Sequence, residues 1–305
     1  MAKPTPRPGR AAARPGSSYA DGHPLDEVHY LESKIILKPE RFTSTKSFRE
    51  LAKLVRRVAD DADVGYSISH LDDQTPQIRE VVFLDTADFR LYNHAFILRR
   101  RITYEHGFPV GEPEVVFKFR HPDLETAAAL DVRPRIPGVH EVKFKAEALP
   151  LRDRIGGTRM LYSHNALFAL SQAPRADRAS LATLVRLFPC LAPLRRSRAD
   201  RVDLVNQTIV EEVLMDLGKL DFGKGVIAKS NAALWRRRGD HRLLIGEYSF
   251  QARFDRANEL HEKVRERVEA FFVSLQKAVR PWVSLGTTKT GIVYQLKGNP
   301  PQSHE

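Results

Sequence analysis

The stretch Leu98-Arg99-Arg100-Arg101-Ile102 sets three consecutive arginines between two apolar residues. A β-strand sends successive side chains to opposite faces, so Arg99 and Arg101 share one face while Leu98, Arg100 and Ile102 share the other. The pattern recurs along the chain. In Val115 to Arg120, Lys118 and Arg120 lie opposite Val115, Phe117 and Phe119. In His140 to Glu147, Glu141, Lys143, Lys145 and Glu147 lie opposite Val142, Phe144 and Ala146, and in Leu31 to Lys38, Glu32 and Lys34 lie opposite Leu31, Ser33, Ile35 and Leu37. Such alternation ordinarily marks an antiparallel sheet with one solvated face. The sign of the charge points elsewhere. A solvated face mixes charges, whereas Arg99, Arg101, Lys118 and Arg120 are all cations, and like charges side by side cost energy unless an anion answers them.

Strand periods continue near 28–38, 79–85, 95–104, 114–120, 140–146, 201–217 and 243–254. Residues 46–62 instead place Phe48, Leu51, Leu54, Val55 and Val58 on one helical stripe. Residues 255–280 do the same with Leu260, Val264, Val268, Phe271, Leu275 and Val279. A helical middle is predicted from about Arg159 to Leu170 and from about Arg178 to Phe188, ending at Pro189. Residues 1–24 carry Pro4, Pro6, Pro8, Pro15 and Pro24 among Lys3, Arg7, Arg10 and Arg14, with no run of large apolar side chains. They read as a disordered basic tail. The expected organisation is this tail, a single domain over 25–298, and a short second tail over 299–305.

The formal charge of +11 on 305 residues says that the surface or a cavity attracts anions. Nucleic acid, anionic lipid and polyphosphate all satisfy that sign. Cys190 is alone, so no intrachain disulfide forms, and no Cys/His group has zinc spacing. No apolar stretch reaches the roughly 20 residues that a membrane span needs, and no secretory signal is visible, so a cytoplasmic protein is expected. Gly218, Gly223 and Lys224 fit the spacing of a phosphate loop, but Gly225 stands where that loop needs Ser or Thr, and the segment reads as a turn between strands. His70, His121 and His164 are scattered and read as surface or packed residues.

In order, the residues resemble the CYTH domains, also called triphosphate tunnel metalloenzymes. Phe83-Leu-Asp85-Thr86, then Leu91, then Leu98-Arg99-Arg100-Arg101 is similar to that family's (Y/F)xDT, Leu and LRxR sequence, and Lys118 falls at its TxK lysine. Glu32-Ser-Lys34 resembles the end of its opening ExExK. Arg198 and Arg201 precede a strand in which Glu212 and Asp216 match ExxxD, and Lys289 through Tyr294 resembles the closing segment. The resemblance implies an α+β fold with an antiparallel β-tunnel of about eight strands flanked by helices. It implies that Lys34, Arg99, Arg101, Lys118, Arg198, Arg201 and Lys289 grip a triphosphate or polyphosphate-like anion. It also implies that Glu32, Glu212, Asp216 and Glu247 hold Mg²⁺ or Mn²⁺ for phosphohydrolysis. Arginine grips phosphate oxygens through paired hydrogen bonds, and divalent metal with carboxylates suits phosphoryl transfer.

The departures from the family pattern fall on the acids. Tyr30 stands at the first glutamate of ExExK, Ser249 and Gln251 follow Glu247 where acids are expected, and Arg135 replaces an acid if Arg133 is the mid-chain arginine. Val116 replaces the TxK threonine. Anion binding is therefore better supported than catalysis. The alternative is a nucleic-acid-binding module in which the basic tail, Arg195, Arg196, Arg198 and Trp235-Arg-Arg-Arg238 contact phosphate backbone.

Overall fold

A computed structural model describes residues 27–68, 74–173, 176, 179–194, 200–254, 260–298 and 300. The basic tail, His70 and Arg195, Arg196 and Arg198 lie outside the described residues. Ten strands form one sheet: β1 (Tyr30–Leu37), β2 (Gly65–Ser67), β3 (Gln77–Asp85), β4 (Phe96–Glu105), β5 (Phe108–His121), β6 (Glu141–Pro150), β7 (Thr158–Ala169), β8 (Asp203–Asp221), β9 (Ile227–Arg237) and β10 (Leu243–Arg253). Their order is β2-β8-β3-β4-β5-β7-β6-β1-β10-β9, and β8 also pairs with β9. That last pairing closes nine strands into a barrel, with β2 added outside the ring on β8. The expectation of about eight antiparallel strands is corrected twice. The described residues form ten strands, and β1 runs parallel to β6, with Glu32 opposite Glu147.

The helices are α1 (Thr45–Asp61), α2 (Leu124–Ala129), α3 (Leu181–Leu187), α4 (Glu262–Ala278) and α5 (Lys289–Gln295). The two amphipathic stripes are α1 and α4. They cover the outer face of β1, β10, β9 and β8 with Phe48, Leu51, Val55, Val268, Phe271 and Leu275 against Ile35, Leu217, Tyr248 and Phe250. A second core packs α3 and the 3₁₀ turn after it on Leu98, Phe117 and Phe168 of β4, β5 and β7. Among the described residues no helix is long and apolar enough to cross a membrane.

The predicted helix from Arg159 to Leu170 is strand β7. It lies between β5 and β6, and both of its faces are buried, with Leu161 and Ser163 inward and Ala166 and Phe168 outward. A strand covered on both sides loses the apolar–polar alternation that announces it, and short apolar runs then imitate a helix. β9 went unread for the same reason, since Ala228, Ala232, Ala233, Leu234 and Trp235 are all buried. Of the glycines of the apparent phosphate loop, Gly218 lies in β8 at a register shift and Gly223 in the turn that follows. Gly218, Gly223 and Gly225 have positive φ, and Gly223 and Gly225 join β8 to β9.

Phe250 is 2% exposed and meets Phe222, Phe271 and Phe272 at ring-centroid distances of 5.6, 5.5 and 6.2 Å. Phe250→Ala is expected to destabilise the fold by about 3–5 kcal/mol, read by urea denaturation. A loss below about 1 kcal/mol would show that α4 does not pack on the barrel as described.

Candidate functional site: a charged barrel lumen

Strand register assigns every second residue to the lumen. The pairs Phe83–Arg99, Val81–Arg101, Ile97–Lys118, Arg101–Glu114, Lys118–Asn165, Lys145–Ser163, Glu32–Gln251, Lys34–Ser249, Arg79–Glu212 and Glu212–Trp235 carry one parity around the whole ring. One end of the lumen is apolar: Ile36, Val81, Phe83, Ile97, Val210, Trp235 and Ile245 pack with Tyr92, Val293 and Tyr294. Helix α5 therefore sits over that end as a plug. Beyond the apolar layer come cations, among them Lys34, Arg79, Arg99, Arg101, Lys118, Arg120, Lys145 and Lys289. Fewer carboxylates accompany them, among them Glu32, Glu114, Glu147, Glu212 and Glu247.

Glu147 is the hub of one wall. Its carboxylate, 1% exposed, accepts from Lys34 Nζ at 2.8 Å and from Lys118 Nζ, and Arg120 lies at 3.4 Å. The Ser163 hydroxyl donates to it at 2.5 Å. Burial works to raise this carboxyl, but Arg120, Lys118 and Lys34 together hold it well below the usual carboxylate range. Glu32 behaves alike: burial opposes ionisation, yet Lys145 and Lys34 hold it at about 2. Tyr30, in place of the family's first acid, offers its ring face to Lys145, Lys143 and Arg253 at 5.5, 5.6 and 6.0 Å. Gln251 Oε1 accepts from Lys145 at 2.5 Å.

The opposite wall is built around Glu212. Its Oε2 accepts from Arg79 Nε at 2.8 Å, and its Oε1 accepts from Trp235 Nε1 at 2.8 Å and Lys289 Nζ at 3.0 Å. Lys289 also reaches Glu247 at 2.8 Å. Arg101 pairs with Glu114. Arg99 differs from these: its Nε is buried without a hydrogen-bond partner among the described residues. Burial, then the charge of Arg101, lowers its guanidinium to about 10.

Six sequence-named residues thus face the lumen in two ion-pair clusters: Glu32, Lys34 and Lys118 around Glu147, and Glu212, Glu247 and Lys289 on the opposite wall. Arg99 and Arg101 stand beside them. Asp216 does not join them. It is exposed, and its carboxylate accepts from the Gly218 N–H at 2.7 Å, where the β8–β9 register shifts. Arg201 is exposed and bridges Ser180 through its backbone. Arg133 pairs with Asp131 at the surface. His164 is 2% exposed against Phe144, and His121 stacks on Phe119. Trp235 is 1% exposed in the lumen, while Arg236, Arg237 and Arg238 pair with Glu211, Asp240 and Glu80. Sequence reasoning left out Glu147, Arg79 and Glu114. Glu147 was within reach as the last member of the charged face that begins at Glu141.

The acids expected to hold Mg²⁺ or Mn²⁺ do not fit that role as arranged. Among the described residues no group of three or more His, Cys, Asp or Glu could hold a metal ion. Glu32 faces lysines on the first wall, Asp216 is exposed four residues along β8 from Glu212, and a lysine stands between Glu212 and Glu247. A divalent ion demands about six oxygens, and here the carboxylate oxygens already accept from cations.

Glu147→Gln would leave Lys34, Lys118 and Arg120 without their shared counter-charge, and is expected to destabilise the protein by about 3–5 kcal/mol near neutral pH. The native carboxyl lies below the ordinary 4.5, so its contribution is whole above that value and is lost as pH falls from there through the native value. Denaturation curves across the acid range should therefore show wild-type stability falling below about pH 4.5 and a flatter profile for the variant. Identical profiles would refute the hub.

No protein-family model matches the chain, and no curated protein matches its sequence. Among solved structures it is similar to a Hippeastrum protein, described as a candidate adenylyl cyclase with a dominant triphosphatase activity, at 12% identity and a TM-score of 0.40 over 90% of this chain and 98% of that one. A Bacillus halodurans protein described as a candidate adenylate cyclase follows at 12% identity and 0.39, over 89% and 98%. A Pyrococcus horikoshii protein stands at 12% and 0.37, over 87% and 98%. Likeness at that level carries no statement about activity. What this chain itself holds, in order, is a set of CYTH-like motifs whose Glu32, Lys34, Arg99, Arg101, Lys118, Glu212 and Lys289 are distributed around one closed barrel, and in this it resembles the triphosphate tunnel family.

Proposed function

We propose that this protein binds a linear triphosphate or a polyphosphate-like anion in the barrel lumen. The observation that carries the reading is Arg99, a guanidinium held in a low-dielectric interior beside the charges of Arg101 and Arg79, with a buried Nε that nothing among the described residues accepts. Three guanidiniums brought together by β3 and β4 repel one another, and an entering polyanion would relieve that repulsion while supplying acceptors in the paired geometry that guanidinium suits. Lys34 and Lys118, at the ends of flexible stems on Glu147, could turn to phosphate oxygens without moving the backbone. Arg198 lies outside the described residues, and Arg201, exposed beside Ser180, has no part in the proposed lumen contacts. With the lumen plugged at one end by the apolar cluster, a chain of phosphates would enter end-on. The reading favours binding with slow turnover or none, because the lumen acids are committed to cations.

Calorimetric titration with tripolyphosphate tests this. Wild type is expected to bind, Arg99→Met to bind at least about tenfold more weakly, a difference of about 1.4 kcal/mol, and Arg100→Met, on the outer face beside Glu80, to bind as wild type. Equal affinity in Arg99→Met, or no binding by wild type, would overturn the proposal. Phosphate release with Mg²⁺ or Mn²⁺ is expected near background. Rapid release abolished by Glu32→Gln would show instead a working metal site.

A further inference from the structure

Glu212 and Glu247 extend into the lumen from β8 and β10, the two neighbours of β9. Between them on β9 stands Ala233, paired with Glu247 and with Leu214. A methyl group there leaves open the space that the two carboxylates face. Two buried acids reaching one point across a small residue are the start of a divalent-cation site. The space holds an ammonium. Lys289 Nζ lies 2.8 Å from Glu247 Oε1 and 3.0 Å from Glu212 Oε1, with the Trp235 ring centroid 4.8 Å away.

We propose that Lys289 is a built-in cation of this lumen, seated between Glu212 and Glu247 in place of a divalent metal ion. Three features make the seat specific to a lysine. An ammonium has three donors and no acceptors, and two carboxylates with an aromatic face satisfy it. Glu212 has no oxygen left for a metal, since Oε2 is held by Arg79 and Oε1 by Trp235 and Lys289 together. Lys289 also arrives on a helix that is pinned at both ends. At the first turn of α5 the Thr288 hydroxyl accepts from the Gly291 N–H at 3.0 Å. At the far end the Tyr294 hydroxyl donates to Asp85 at 3.2 Å and its ring stacks on Tyr92 at 4.1 Å, while the Asn206 amide donates to the Val293 and Tyr294 carbonyls at 2.8 Å each. A metal ion could enter only by displacing Lys289 from both carboxylates.

The inference does not depend on which anion the lumen takes. It is tested on the full chain, stripped of divalent ions with chelator, by titrating Mn²⁺ and following the free-ion resonance by electron paramagnetic resonance. Wild type is expected to leave the signal unbound by this site. Lys289→Met and Lys289→Ala, shown folded by circular dichroism, are each expected to take up one Mn²⁺ at least about tenfold more tightly than wild type, about 1.4 kcal/mol. Adding Glu212→Gln to Lys289→Met should remove that gain. Folded Lys289 variants that gain no Mn²⁺ binding would overturn the proposal. If neither variant folds, wild type decides: one tightly held Mn²⁺ per chain that Glu212→Gln abolishes would overturn it, and no such uptake would support it.

Discussion

Pairing of β8 with β9 turns a sheet into a ring, and the rest of the structure follows from that closure. An open sheet with Arg99, Arg101, Lys118 and Lys145 on one face would leave them in water, where like charges are screened and each needs no partner. Once the ring closes, the same face surrounds a narrow interior of low dielectric, and every charge on it must be answered. Glu147 answers three cations at once and Glu212 answers two, so the carboxylates that neutralise the lumen also tie together strands distant in sequence. Closure also removes sheet edges within the ring and leaves only β2 as an added outer strand.

The plugged end shows how a bulge aims a side chain. The β3–β8 register shifts between Val82 and Leu84, and opposite that shift Asn206 and Gln207 adopt positive φ of 52° and 51°. The irregularity brings the Asn206 amide onto the carbonyls of α5. Asp85, at the end of β3, accepts from the backbone of Thr86, Leu91 and Tyr92 as well as from Tyr294. Burial raises its carboxyl to about 6 even with those donors. Asp85 of the motif thus ties the turn after β3 to the helix that carries Lys289.

Positions where acids of the family pattern are missing are not simply lost. Tyr30 presents a ring face to three cations, and Gln251 supplies an oxygen to Lys145. Both substitutions keep some negative potential near the lysines while removing formal charge. The lumen is left with an excess of cations, and Arg99 carries the part of that excess that no carboxylate holds directly.

The sequence by itself determined the strands with one charged face and the two long amphipathic helices, because each is written in a local period of two or of 3.6, and the turn at Gly223 to Gly225 through its glycines. That Lys34, Arg99, Arg101 and Lys118 line a tunnel was implied by the family resemblance, not by the period. The sequence could not show β7, whose Leu161, Ser163, Ala166 and Phe168 are buried on both faces, since periodicity records only a difference between the two sides. Nor could it separate Glu212, buried among lumen cations, from Asp216, which has the same strand parity four residues later but is exposed and accepts from the Gly218 amide at a register shift. Those assignments depend on where the ring closes and where its register slips. Tertiary structure also decided that Lys289 neutralises Glu212 and Glu247, because a contact between residues 77 positions apart in one case and 42 in the other depends on helix docking and has no local signature.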